Sequence, residues 1–549
     1  MKSVVTFNGF LTIIAQWFSA NILALGREMR LSYLPPLMVY VAAGVSGLTG
    51  IVGTFYVKEK LGLSAEFLAM LGFWMMLPWA LKMPMGHLVD LIWRWKSLLV
   101  YLGASLIMLS LLIMIGLLGH TEMMTATASV ETWYVISALL APIGYVLQDV
   151  VADAMTVEAV PRVDQNGNAL SAEKRKLMHV TMQTLGRVAI IGGGVLISIA
   201  NVFLLRDAGS LPEAEKEAVY LLVYELALII PLISIFGVVF ASWLRRCERK
   251  RLLTQGYSRK DADALLGVSI QPPSVNWWIL GGGLAFTLIS LGVGLSRIPG
   301  GEEIIFVISM SIVIFLMWQL TGELEPEVRN VLVGTAVLIF VFRALPGPGA
   351  GSTWWMIDEL GFDQQFLAVL SLVGAVLTLF GMFIFRRFMA ERSIAYIVGF
   401  LTIVGTFLSL PIIGMYFGLH EWTAAMTGGV VDARFIALID TALESPLGQI
   451  AMIPMLAWIA NSAPERLKAT FFAVMASFTN LALSASQLIT KYLNQIYVVT
   501  REVKEATGEI TVPADYSELG QLLITVTLIG LLLPLMTIVI LKHSRFKNA

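Results

Sequence analysis

Long apolar segments constrain the fold of this chain more than any other feature of its sequence. Fourteen segments of about 20 or more mostly apolar residues follow one another along the 549 residues, and a helix needs about 20 such residues to cross a bilayer. Only 14% of the residues are charged, whereas soluble domains average roughly 25%. The short alternating segments of a membrane β-barrel do not occur in the sequence. The sequence therefore predicts an all-α polytopic membrane protein.

The predicted spans form two groups of six with a pair between them. Numbered 1 to 14 in chain order, the spans are 33–56, 66–90, 97–118, 131–158, 177–205, 218–244, 277–297, 303–320, 328–350, 364–386, 393–418, 432–461, 468–498 and 518–541. Polar residues interrupt the first apolar run, so we expect an interfacial helix there, with a fifteenth span as the alternative. The predicted parts are an N-terminal interfacial helix (1–30), a six-helix bundle (31–245), a cytoplasmic linker (246–276), an inserted two-span hairpin (277–322) and a second six-helix bundle (323–549).

An internal repeat relates the two groups of six. The stretch 54–71 aligns without gaps on 353–370, with seven identical residues in register. Each stretch contains the end of one span, a short outer loop and the start of the next span. Two related halves are typical of secondary transporters, in which the substrate lies between the halves near the middle of the membrane.

The distribution of basic residues predicts the orientation. Basic residues cluster after spans 2, 6, 10 and 12, before span 5 and at the end of the chain. All these clusters lie on one side if both termini are cytoplasmic, as the positive-inside rule requires. We therefore expect an integral membrane protein of the bacterial inner membrane with both termini in the cytoplasm.

Charge, cysteine and histidine content argue against other classes of protein. A net charge of −1 provides no basic surface for nucleic acid, and a single cysteine excludes a disulfide scaffold. The five histidines are scattered, and no metal-ligand spacing or catalytic triad occurs. We expect no enzymatic activity, cofactor, metal or nucleic-acid partner. The expected partners are the lipid bilayer, a small-molecule substrate and protons, and the expected state is a monomer.

Seven ionisable residues are predicted to lie at membrane depth, where charges are costly and face a cavity or a partner. In the first half, Lys82, Asp149, Asp153 and Arg187 share a depth, and the two aspartates lie on one helical face because they are four residues apart. The second half places Arg343, Asp440 and Glu444 at a similar depth to one another, which suggests an ion pair. Structural salt bridges are one interpretation of these groups.

The other interpretation is functional. A desolvated carboxylate can bind a proton that is coupled to substrate movement. Alternatively, a buried cation binds an anionic substrate. Trp79, Trp354 and Trp355 could stack on an aromatic ligand, although an interfacial belt is the more typical place for tryptophan.

A loop motif ends span 2. Gly86 is followed four residues later by Asp90 and then by Arg94, which resembles the gating loop of the major facilitator superfamily. The resemblance implies that the glycine permits close helix approach and that the aspartate caps or bridges the neighbouring bundle. The sequence departs from the motif because no basic residue directly follows Asp90.

Three further stretches resemble the folate–biopterin transporter family of that superfamily. They are 61–90, with Pro78, Trp79, Lys82 and Pro84; 148–160, with Asp149, Asp153 and Glu158; and 463–486, with Pro464 and Asn480. The resemblance covers spans 1–5 and 9–13, but not the first 30 residues or the hairpin. Lys468 stands where the family commonly has an acidic residue.

The resemblance implies a major facilitator-type fold and alternating-access transport of a folate- or pteridine-like solute, with proton coupling. The stretch around Asp149 and Asp153 is also similar to the muropeptide permeases, so import of cell-wall sugar-peptides is the alternative. A membrane enzyme or a non-transporting receptor is a third reading. It is disfavoured because no soluble domain or catalytic cluster is visible.

Overall fold

The computed structural model describes residues 19, 24–161, 170–266, 275–296, 298–322, 324–450, 452–455, 468–504 and 510–546. Within these ranges, twelve helices are long and apolar enough to cross a membrane. The helices of predicted spans 9 and 13 complete the set, although Glu327, Arg329 and Arg343 make the first of them too charged to be among the twelve. The prediction of an all-α membrane protein is confirmed, and twelve of the fourteen predicted spans are among these candidate membrane helices.

Most spans are single helices, and within the described residues spans 1, 2, 6, 9 and 12 are interrupted. Spans 1 to 6 are Leu34–Val45 with Gly50–Lys60 (span 1), Ala65–Met76 with Lys82–Leu91 (span 2), Ser97–Gly119 (span 3), Val130–Ala159 (span 4), Ala172–Leu204 (span 5) and Glu213–Ala227 with Ile229–Thr254 (span 6). The hairpin helices are Trp277–Ser296 (span 7) and Gly301–Thr321 (span 8). Spans 9 to 14 are Pro326–Arg343 with Ala350–Asp358 (span 9), Gln364–Ile384 (span 10), Ile394–Tyr416 (span 11), Ala433–Glu444 (span 12), Lys468–Ile496 (span 13) and Leu519–Lys542 (span 14).

Short elements lie between the spans or at their interruptions. They are α-helices at Ala24–Arg27, Thr121–Thr125, Arg259–Leu265, Arg386–Glu391 and Leu419–Met426, 3-10 helices at Leu31–Tyr33, Ser46–Thr49, Leu77–Leu81, Ala208–Ser210 and Ser445–Leu447, and an antiparallel pair of strands at Val503–Lys504 and Ile510–Val512. Of the predicted interfacial helix (1–30), residues 19 and 24–30 are described, with a helical turn at Ala24–Arg27, and the other positions lie outside the described residues.

The first span of each half is broken at the same place in the repeat. The repeat offset is 353 − 54 = 299 residues, so the 3-10 segment Ser46–Thr49 corresponds to 345–348, which lies inside the non-helical gap of span 9. Span 13 binds the backbone freed in that gap, since Thr490 accepts from the Gly347 amide at 3.1 Å and Ser486 donates to the Leu345 carbonyl at 2.6 Å. Breaks of this kind are tolerated in a membrane when neighbouring helices satisfy the freed groups.

Glycines bring the helices of the first half into backbone contact. A methyl group on Gly44 in span 1 would lie 2.1 Å from the Ile190 carbonyl oxygen of span 5, and one on Gly193 would lie 2.9 Å from the Gly44 Cα atom. Gly103 and Gly144 join spans 3 and 4 in the same way, with 2.5 Å from the added carbon at Gly103 to the Gly144 oxygen. Small residues allow such approach in membrane helices.

The two halves pack on each other through spans 2 and 13 and through spans 5 and 10. Ser477 accepts a hydrogen bond from the Met83 amide at 3.2 Å, and the Asn480 amide donates to the Trp79 carbonyl at 3.3 Å. Both contacts join span 2 to span 13 close to the interruption of span 2. The interface between halves therefore runs directly beside Lys82.

The inserted hairpin of spans 7 and 8 lies against this interface and contacts both halves. Gly283 abuts Pro84 of span 2, where an added methyl group would come within 2.4 Å of the proline Cβ atom. Glu302 and Glu303, in the first turn of span 8, bind three residues of the two halves. We call these five residues the hairpin clamp: Trp74, Glu302, Glu303, Lys491 and Tyr492. Trp74 donates to Glu302 at 3.2 Å, while Lys491 bonds Glu302 at 3.3 Å and Glu303 at 3.1 Å. The clamp thus joins span 2 of one half to span 13 of the other.

Candidate functional site

Three of the four charged residues predicted to cluster in the first half lie together, and Tyr40 joins them. Lys82 Nζ is 2.5 Å from Asp149 Oδ2 and 2.8 Å from Asp153 Oδ2. The Tyr40 hydroxyl donates to Asp153 Oδ1 at 2.6 Å. We call these four residues the lysine cluster. It carries one positive and two negative formal charges among helices, which makes it a candidate functional site in a membrane protein.

The interruption of span 2 places Lys82 in this cluster. Pro78 is the second residue of the 3-10 segment Leu77–Leu81, where its fixed backbone torsion and missing amide hydrogen are tolerated. Lys82 is the first residue of the helix that follows. Asp149 and Asp153 are one turn apart on span 4, so both can face the same ammonium group.

Arg187 and Arg343 approach each other from opposite halves. They lie close enough to interact electrostatically, and Arg187 also acts on Asp149. Among the described residues neither guanidinium forms an ion pair, and an Arg343 N–H contacts the Met455 sulfur at 3.9 Å instead. Arg343 also ends a helix, where backbone carbonyls favour a cation. Within the described ranges, these two half-buried cations thus have no carboxylate within ion-pair distance.

The predicted ion pair of Arg343 with Asp440 or Glu444 is not formed in this structure. Asp440 lies on the helix Ala433–Glu444, which packs on spans 10 and 11 rather than against span 9. Its Oδ1 atom is buried and has no hydrogen-bond partner within the described ranges. Glu444 is exposed on the surface of the described chain. The sequence predicted that these residues lie at a similar depth in the membrane. Their side chains nevertheless contact different helices, so they do not meet.

The loop motif after span 2 makes fewer contacts than the resemblance implies. A methyl group on Gly86 would meet nothing within 4 Å, so this glycine does not mark a close helix approach. Neither Asp90 nor Arg94 has an ion-pair partner in the part of the chain that the structure describes. His87 accepts a hydrogen bond from the Asn276 amide at 2.9 Å, which attaches the start of the hairpin there.

The other family-motif residues act as structural contacts. Glu158 binds Lys96 at 2.5 Å and Arg245 at 3.5 Å, tying span 4 to the loop before span 3 and to span 6. Pro84 packs on the hairpin, and the carbonyl of Trp79 accepts the hydrogen bond of Asn480. Pro464 lies outside the described residues.

Contacts on the outer side join the halves, and the sequence did not single them out. Lys58 of span 1 binds Asp358 of span 9 at 2.5 Å, Gln495 donates to Glu66 at 2.6 Å, and Gln364 donates to Tyr220 at 2.7 Å. We call these three pairs the outer latch. Tyr516 also donates to Asp358 at 2.5 Å, and burial with this carboxylate raises the pKa of Tyr516 well above its usual value. The signal was available, since Lys58 and Asp358 both belong to the repeated stretch.

Two of the tryptophans lie in the protein interior rather than in an interfacial belt. Trp354 is 2% exposed and Trp355 is 5% exposed, within a core shared by spans 9, 11, 13 and 14. Arg501 lies over the Trp354 ring at 5.3 Å. The prediction of a belt position is therefore wrong for these two, because their span is broken and its outer part is enclosed by other helices.

Comparison with known proteins identifies related transporters. Residues 304–548 match the model of the BT1 family. A folate-biopterin transporter of Synechocystis sp. is 23% identical over 476 residues, covering 85% of this chain and 76% of the relative. Folate transporter 2 of Plasmodium falciparum is 25% identical over 151 residues, covering 28% of this chain and 32% of the relative.

Solved structures show the same fold at low sequence identity. A peptide transporter POT in complex with sulfate gives a TM-score of 0.57 at 15% identity, covering 93% of this chain and 94% of that one. A POT family transporter in complex with 5-aminolevulinic acid gives 0.56 at 12% identity, covering 94% and 96%. The predicted resemblance to the folate–biopterin transporter family and the predicted major facilitator-type fold are confirmed, and the matched relatives are named as transporters rather than enzymes.

Proposed function

We propose that this transporter, which resembles the folate–biopterin family, is a proton-coupled secondary carrier of an organic anion of the folate or pteridine class. We place it in the bacterial inner membrane with both termini cytoplasmic, in accord with the basic loops. The two bundles and the hairpin, with the boundaries predicted from sequence, are its moving parts. The matched relatives are named as folate transporters, which ranks muropeptides below this class.

The lysine cluster carries the proposal of proton coupling. Lys82 holds two carboxylates at membrane depth, 2.5 and 2.8 Å away, beside the interface between halves. A proton bound by Asp149 or Asp153 would neutralise one carboxylate and weaken its hold on Lys82. Because the cluster joins span 2 to span 4, and span 2 packs on span 13, its protonation would change the contact between the halves.

The two arginines support an anionic substrate. Arg187 and Arg343 repel each other across the halves when no anion is present. A carboxylate between them would accept charge-assisted hydrogen bonds and draw the halves together. The folate class provides such carboxylates, whereas a neutral sugar does not.

Uptake by reconstituted vesicles tests both parts. We expect purified protein to accumulate folate faster when the exterior is acidic, and collapse of the proton gradient to remove the stimulation. Asp149→Asn and Lys82→Ala should each lower uptake by about tenfold or more, because each breaks the charge balance of the cluster. The matched control is Glu248→Gln, which removes an exposed carboxylate at the cytoplasmic end of span 6.

Arg343→Gln should raise the folate concentration needed for half-maximal uptake without abolishing insertion in the membrane. Folate uptake that is the same with and without the protein, and with and without the proton gradient, would contradict the proposed function. Wild-type uptake by Asp149→Asn and Lys82→Ala would instead show that the lysine cluster is only a structural salt bridge.

A further inference from the structure

A cavity of about 360 Å³ lies inside the first half, beside the 3-10 segment that interrupts span 1. Spans 1, 2, 3, 4 and 6 form its walls, and Ala350 and Trp354 of span 9 close the side that faces the second half. We call this cavity the span-1 pocket. Its lining therefore comes mainly from the first half and partly from the second, and neither Arg187 nor Arg343 belongs to it.

The lining of the span-1 pocket is uncharged and rich in hydroxyl groups. The interruption of span 1 contributes Ser46 and Thr49, which lie next to the hydroxyls of Tyr145 and Tyr224. Tyr134 adds a third tyrosine ring to the same wall. A charged ligand group would lose its hydration here without gaining an ionic partner. A flat, uncharged ligand with hydrogen-bonding edges finds both aromatic faces and hydroxyl partners.

The size and position of the pocket suit a ligand that communicates with the lysine cluster. Its volume lies within the roughly 300–1,000 Å³ range of small-molecule sites. Tyr145 precedes Asp149 by four residues on span 4, which is one helical turn or about 6 Å. An occupant that moves Tyr145 would therefore act on the helix that carries both carboxylates.

We propose that the span-1 pocket binds an uncharged planar heterocycle with hydrogen-bonding edges, and pterin is the probe of this class. The inference rests on the proposed function, because it assigns the aromatic part of the proposed substrate class to a place apart from the two arginines. Trp354 of the second half closes the pocket, so its occupancy depends on how the two halves are arranged.

The binding of free pterin to purified protein tests the assignment, with pterin fluorescence polarisation as the readout. Gly50 lines the pocket, and a methyl group there would meet nothing within 4 Å, so Gly50→Leu adds a side chain in open space at the pocket wall. We expect Gly50→Leu to weaken pterin binding by about tenfold or more. Gly281→Leu is the matched control, since Gly281 is in the hairpin and also has nothing within 4 Å of the added carbon.

A second variant and a second ligand keep the test decisive. Tyr224→Phe removes one hydroxyl while keeping the ring, and should weaken pterin binding while leaving the thermal midpoint close to wild type. p-Aminobenzoylglutamate, which has the carboxylates of folate and no pterin ring, should bind Gly50→Leu and wild type equally. Wild-type pterin affinity in a folded Gly50→Leu variant would overturn the assignment, even if folate uptake remains proton-driven. Absence of both folate uptake and pterin binding in the wild type would instead remove the proposed function and the inference together.

Discussion

At the scale of single residues, Lys96 differs from Arg94, the other basic residue of the loop after span 2. Its side chain is 3% exposed, it lies 4.0 Å above the Trp93 ring, and it binds Glu158. Burial lowers the pKa of Lys96 even with this carboxylate beside it. A buried cation of this kind depends on its partner, because removal of one member leaves an uncompensated charge.

We therefore expect Glu158→Gln to lower the free energy of unfolding by about 3 kcal/mol. The measurement is the thermal or denaturant midpoint of the purified protein. Lys96→Met in the Glu158→Gln background should recover part of the loss, since the orphaned charge is then absent. Glu248→Gln is the control, because the exposed pair of Glu248 and Arg251 contributes little. Equal effects of the two glutamine variants would refute the argument from burial.

Helical spacing explains which site residues could be predicted from sequence. Depth along a helix and the four-residue interval fix height and face, so Lys82, Asp149 and Asp153 were placed together correctly. Helical spacing does not determine how one helix is rotated relative to another. The predicted ion pair of Arg343 with Asp440 or Glu444 is therefore wrong. Tyr40 was not singled out because its uncharged side chain is not exceptional in an apolar span.

At the scale of elements, close packing and breaks decide how the spans meet. Span 5 contains three consecutive glycines, but only Gly193 lies against another backbone, that of Gly44 in span 1. Gly192 and Gly194 have nothing within 4 Å of an added carbon. Three consecutive glycines predicted close helix packing in span 5. Because successive residues of a helix point in different directions, only one of the three glycines faces span 1.

Gly193→Ala and Gly192→Ala should consequently differ in stability. The first places a methyl group against the backbone of span 1, which cannot yield as a side chain would, and overpacking of this kind costs about 1–3 kcal/mol. The second enters open space and should leave the midpoint of thermal unfolding almost unchanged. Scanning fluorimetry on the two variants in one detergent makes the comparison. A larger loss for Gly192→Ala would contradict the assigned contact.

At the scale of the whole molecule, the outer latch joins the two halves on the side that the sequence predicts to be the outer one. Lys58 and Asp358 are 12% and 26% exposed, so their ion pair is partly shielded from solvent. Long-range pairs such as these depend on how two bundles rotate, which a local repeat in the sequence does not specify. An alternating-access carrier must break such contacts to open outward.

A cross-link across the latch should therefore block transport. In a Cys247→Ser background, which removes the single native cysteine, Glu66→Cys and Gln495→Cys replace a pair that is hydrogen-bonded at 2.6 Å. We expect a short, reducible thiol cross-linker to join them, folate uptake to fall, and reduction to restore it. Lys58→Ala should lower the yield of cross-linked protein, because loss of the Lys58–Asp358 ion pair favours the state in which the halves are apart. Full uptake by the cross-linked protein would show that these contacts persist throughout the cycle.

The inserted hairpin adds an even number of membrane crossings, and this number determines the orientation of the second half. A pair of crossings returns the chain to the side from which it left, so spans 9 to 14 enter the bilayer in the same sense as spans 1 to 6. An insertion of one helix, or of three, would invert the second half and destroy the correspondence between the broken spans 1 and 9. The duplication could thus accept extra helices between its copies only in even number. Deletion of span 7 alone should invert everything that follows, whereas removal of both hairpin helices should preserve it.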